Sequence, residues 1–117
     1  MSSLVGEFEE LRVGVERLRT LLENLVVRGL RACGPDELTQ IQSHARHLEQ
    51  AGAGHVAAVL LELHGQIERD DRASAETLLK AQTSVRLLER LLTLRVVAGA
   101  YDRAIAIADA GEGDAEE

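Results

Sequence analysis

Four histidines, His44, His47, His55 and His64, fall within 21 residues. They are the side chains of this chain best suited to holding a metal or moving a proton. His44 and His47 stand three apart, on one face of a helix. An antiparallel hairpin between the two helices that carry them would bring His64 toward His44, with Glu49 and Glu62 as nearby carboxylates. That set has the chemistry of a small metal centre in a regulatory bundle, with His44, His47 and His64 as its ligands. Two features argue against it. The chain has no H-E-x-x-H and no paired E-x-x-H of the di-iron bundles. His44 and His47 also sit beside the apolar stripe, among Arg46 and Gln50, where solvated side chains are expected. The reading adopted has no metal and no cofactor.

The other reactive groups are sparser still. Cys33 is the only thiol, which excludes an intramolecular disulfide and a Cys-rich zinc module. It is expected at a helix C-terminus, the end that disfavours a thiolate, so a structural role is preferred even with Arg31 nearby. Ser43 beside His44 lacks a nucleophile elbow and an ordered triad. There is no phosphate-binding loop and no G-x-G-x-x-G, and Gly52, Ala53 and Gly54 read as a turn. Asp70 and Asp71 read as helix caps rather than an acid/base pair. No catalytic residue can be assigned, and the chain is read as no enzyme.

The frame for these side chains is helical. At 117 residues the chain is long enough for one modest core. It is 45% apolar with Phe8 and Tyr101 as its only aromatics, so Leu, Val and Ala must fill that core. Leu and Ala favour helices, and Pro35 is the single proline. The net charge of −7 is uneven, because five acidic residues between Asp109 and Glu117 leave −2 for the rest. A near-neutral body lacks the basic face that nucleic acid needs. Arg supplies all the basic residues except Lys80. An Arg-, Ala- and Gly-biased genome accounts for that more simply than a dedicated interface does. The N-terminus reads as no signal peptide, and no apolar run approaches the roughly 18 residues of a membrane span. The expected location is the cytoplasm.

Spacing places four helices. The first, about 3–32 with Ser2 or Ser3 as cap, carries Leu4, Phe8, Leu11, Val15, Leu18, Leu22 and Leu25 at alternating intervals of four and three. Gly29 continues that register, and Leu21, Val26, Val27 and Leu30 widen the stripe. Gly34 suits a left-handed C-terminal position and Pro35 the first turn of a second helix, about 35–51. A third spans about 55–69. The fourth, 72 to about 109, has Gly99 as a kink or end. Its residues Leu87, Leu91, Leu94, Ala98, Tyr101, Ile105 and Ala108 form a heptad seam, with a second stripe beside it at Leu78, Ala81, Val85, Leu88, Leu92 and Val96. Such a helix needs partners on both sides.

These lengths predict an all-α, up-down-up-down bundle, two helices long and two short, as one domain over 1–110 with a disordered acidic tail at 111–117. The tail reads as a solubilising end rather than a nucleic-acid mimic. The short pair covers only part of each long helix, so the ends of the first and fourth project together as a hairpin with unpartnered seams. Two copies closing these seams would make a C2 homodimer. The expected interface is Leu4, Phe8, Leu11, Val15, Leu91, Leu94, Ala98, Tyr101 and Ile105. The alternative is a subunit of a hetero-complex whose partner protein covers the same hairpin.

One family likeness accompanies this pattern. The run PDELTQIQSHARHLEQAGAGHVAAVLLELHGQI, with SVRLLERLLTL after it, resembles the helical segments beside the zinc finger of bacterial SWIM-domain proteins. The finger's several Cys and His ligands are absent, so the resemblance implies a detached bacterial helical module and transfers no zinc or DNA function.

Overall fold

The computed structural model describes the backbone of residues 2–116 and the side chains of residues 6–109. It is all-helical: α1 (Ser2–Arg28), a 3-10 turn (Leu30–Ala32), α2 (Pro35–Gln50), α3 (Gly54–Glu68) and α4 (Ser74–Glu116). Each helix packs on the next in sequence, and α4 returns to α1, which closes an up-down-up-down bundle. The ion pair Arg19 Nε to Glu89 Oε2, 3.2 Å, ties α1 to α4 across that last contact.

The helix ends follow from local backbone chemistry. α1 stops at Arg28, short of the expected residue 32, because Gly29 takes φ +89° and ψ 148°. A side chain there would be strained. Gly29, not Gly34, is therefore the residue that breaks the first helix. Gly34 is extended (φ −93°, ψ −179°) and precedes Pro35 at the start of α2. Its N–H donates to Glu37 Oε2 at 2.8 Å, and Arg28 Nη1 donates to Glu37 Oε1 at 3.3 Å. One carboxylate thus satisfies an open helix N–H and joins the two helix ends.

Both remaining turns close in the same way. After α2, Gly52 at φ +91° lets Ala53 N–H reach the Leu48 carbonyl (2.8 Å) and its own N–H the Glu49 carbonyl (3.1 Å). After α3, Asp70 at φ +53° plays the glycine's part: Asp71 N–H bonds the Gln66 carbonyl (2.9 Å) and Asp70 N–H the Ile67 carbonyl (3.1 Å). These paired bonds are a Schellman closure. Asp71 Oδ1 then accepts from Ala73 N–H at 2.9 Å, so Asp71 caps the turn into α4, whose first helical residue, Ser74, is buried. α4 passes through Gly99 without ending, and its backbone bounds reach Glu116. The side chains of the expected tail, 111–117, and of the expected caps Ser2 and Ser3 lie outside those described.

Leu18, Leu22, Ile41, Leu60, Leu63, Val15 and Val85 are the largest fully buried side chains, so each helix sends branched aliphatics into one core. Val26 and Val27, expected to widen the inner stripe of α1, face outward instead. On α4 the core takes Leu78, Ala81, Val85 and Leu92, the stripe that looked subsidiary in the sequence. Past Leu92 no described residue of α4 is buried, and none of residues 6–14 of α1 is. The molecule is a rod of 71 × 23 × 21 Å with the two long helices extending beyond the short pair.

Candidate functional site

The heptad seam of α4 lies on the outside. Around a helix of 3.6 residues per turn, Leu87, Leu94 and Ile105 point nearly opposite to Leu78, Val85 and Val96. Burial agrees. Leu91 and Leu94 are each 63% exposed, Tyr101 67% and Ile105 42%, and Leu87, Ala98 and Ala108 are exposed too. Val97, at 58%, widens the strip. A contiguous apolar strip of this length on a single chain is the kind of surface that marks an interface.

The nine residues expected at an interface therefore divide. Leu91, Leu94, Ala98, Tyr101 and Ile105 share one open face. Phe8 and Leu11 are half-buried against the chain's own core. Val15 is 1% exposed and belongs to that core, so it cannot form a contact surface; the register that makes it seam-like is the one that points α1 inward. The side chain of Leu4 lies outside those described. Leu87 completes the exposed strip one turn earlier, and its place in the heptad was already visible in the spacing.

A second feature lies between the N-terminal half of α1 and α2. These two helices diverge and leave an open cleft of about 1150 Å³. Glu7, Glu10 and Arg17 line it from α1, and Ser43, His44 and His47 from α2. Glu7, Glu10 and Arg17 stand three and seven apart, on one helix face beside the apolar stripe, a signal present in the sequence but overshadowed by the leucines. His44 is half-buried. Burial, and then the charges of His47 and Arg17, hold its pKa below the ordinary 6.5. A neutral imidazole is its resting form here.

The histidines do not converge. His64 Nδ1 pairs with Glu68 Oε1 at 3.2 Å on its own helix, while His47 and His55 are exposed. Glu62 accepts a hydrogen bond from Gln66 at 3.4 Å and Glu49 is exposed. Among the described residues no three His, Cys, Asp or Glu side chains are arranged to hold a metal ion. Cys33 is half-buried at the end of the 3-10 turn. Burial, with the Glu37 charge behind it, raises its thiol above the usual range, against a smaller opposing effect of Arg28. Ser43 lies beside His44 on the cleft wall, and Asp71 caps the turn into α4.

No helix of the described residues is long and apolar enough to cross a membrane. Comparison of the chain with protein-family models, with curated proteins and with solved structures returns no match.

Proposed function

We propose that this chain is a non-enzymatic helical interaction protein that self-associates as a C2 homodimer through the outer face of α4. The observation that carries the reading is the exposed heptad seam, in which Leu91, Leu94 and Tyr101 are all more than half open to water on one helix face. Burying such a face in a partner of the same pattern removes apolar area from water at about 25 cal/mol per Å². The fold supports this reading with a core of four helices at one end and, at the other, a long helix whose outer face is open. The reading also places the protein in the cytoplasm, where a lone thiol stays reduced.

The interface of this reading is Leu87, Leu91, Leu94, Ala98, Tyr101 and Ile105, with Phe8 and Leu11 at its margin. Light scattering on the full chain is expected to give about twice 12.7 kDa at micromolar concentration. Leu94→Asp places a lone carboxylate in the seam, at a cost of about 3 kcal/mol, and is expected to return the mass to that of one chain. A native chain that stays monomeric would reject self-association. The seam would then belong to a hetero-complex.

A further inference from the structure

The seam also carries information about how two copies meet. In its heptads Leu91, Ala98 and Ile105 occupy the a positions, and Leu94, Tyr101 and Ala108 the d positions. The e positions beside them hold Arg95, Asp102 and Asp109, all exposed. Among the described residues none of the three has an ion-pair partner within the chain. The g positions hold Arg90, Val97 and Ala104. Opposite charges one heptad apart on the same edge suit an antiparallel partner, in which e faces e.

Resting on the self-association reading, we propose that α4 pairs with α4 of a second copy in antiparallel orientation, about a two-fold axis level with Gly99 and Ala100. Each a position then meets a d position. Leu94 lies against Ile105 of the second copy, Ala98 against Tyr101, and Leu91 against Ala108. In two of these three layers, Tyr101 with Ala98 and Leu91 with Ala108, a large side chain opposes an alanine and fills the room it leaves, while Leu94 and Ile105 pack as a large pair. Arg95 faces Asp102 of the second copy, and the two-fold repeats that pair. On the other edge Val97 lies beside Ala104, an apolar contact.

The competing arrangements fail on charge or on the core. An antiparallel register one heptad toward the N-terminus sets Ala98 against Leu94 and puts Arg95 opposite Arg95 of the second copy. One heptad the other way puts Asp102 opposite Asp102 and carries Leu94 past Ala108 to Glu112. A parallel pair brings g against the following e, which places Arg90 beside Arg95 on both edges. Like charges at these positions oppose pairing. The fold also accommodates the antiparallel form, because the core lies at the opposite end and opposite side of α4 from the strip. The two bundles then occupy the two ends of the paired helices.

Charge reversal tests this pairing. Both positions are exposed in the single chain, so the fold of each variant is retained. Arg95→Glu and Asp102→Arg are each expected to raise the dimer dissociation constant about tenfold at low salt, since two pairs become repulsive at once. The double variant Arg95→Glu/Asp102→Arg restores both pairs and is expected within about threefold of the native value. Singles without effect, or a double variant no tighter than the singles, would overturn this register. If Leu94→Asp still splits the dimer in that case, self-association through the seam stands and only the pairing is wrong. A native chain that is monomeric rejects both.

Discussion

Asp70 holds a left-handed backbone at φ +53° that ordinarily falls to glycine. Asp tolerates this region better than most residues, yet the conformation still costs about 1 kcal/mol. Asp70→Gly is therefore expected to stabilise the fold by up to about 1 kcal/mol, read as a rise of about 4 °C in the melting midpoint. His44 makes a prediction of opposite kind. Its pKa lies below 6.5 in the folded chain, so the unfolded chain takes up the proton first as pH falls. Stability contributed by neutral His44 is present above pH 6.5 and declines as pH drops from there toward the folded value. Urea midpoints at pH 7.5 and 5.5 should differ less for His44→Gln than for the native chain. An equal drop in both would remove His44 from the acid response. The histidine cluster was legible as residues, but its dispersal was not. Spacing along two helices does not say which way each imidazole turns, and the pairing of His64 with Glu68 keeps that ring on its own helix.

At the scale of the element, glycine decides where helices end only when the chain must turn. Gly29 and Gly52 sit at turns with positive φ, whereas Gly99 lies within continuous α4. A Cβ at Gly99 would meet nothing nearer than Arg103 Nη1 at 3.7 Å, an ordinary contact. Gly99→Ala should remove about 1 kcal/mol of helix cost. Amide exchange over 95–105 is expected to slow by about fivefold, without a shift in the core amides. An unchanged rate would mean that this stretch does not open locally at Gly99. The extents of α2 and α3 were readable to within a residue or two, because Pro35 and the Gly52 turn mark them chemically. The end of α1 was not, since Gly29 keeps the heptad register and only the reversal of the chain toward α2 requires it to leave the helix.

For the molecule as a whole, the 71 Å rod separates two tasks. One end buries Leu, Val and Ala from four helices, which supplies stability with few aromatics. The other end leaves α4 without a described buried residue beyond Leu92. The surface ion pairs add little, since pairs this exposed contribute at most about 1 kcal/mol each. The Leu94→Asp and charge-reversal variants belong to this scale, because they should alter assembly while leaving the core and the melting of the single chain in place.

The sequence by itself determined the helical class, the order of two long and two short helices, and the existence of two apolar stripes on the last one. These follow from periodicity, which depends only on residues a few positions apart. Only the tertiary structure decided that the stripe through Leu78, Ala81, Val85 and Leu92 faces inward and the seam through Leu91, Leu94 and Tyr101 faces water. It likewise placed Val15 in the core and opened the cleft beside His44. A heptad pattern defines a face on a helix, but which face meets its neighbours depends on where the turns send the other three helices. That choice is made by the packing of the whole chain.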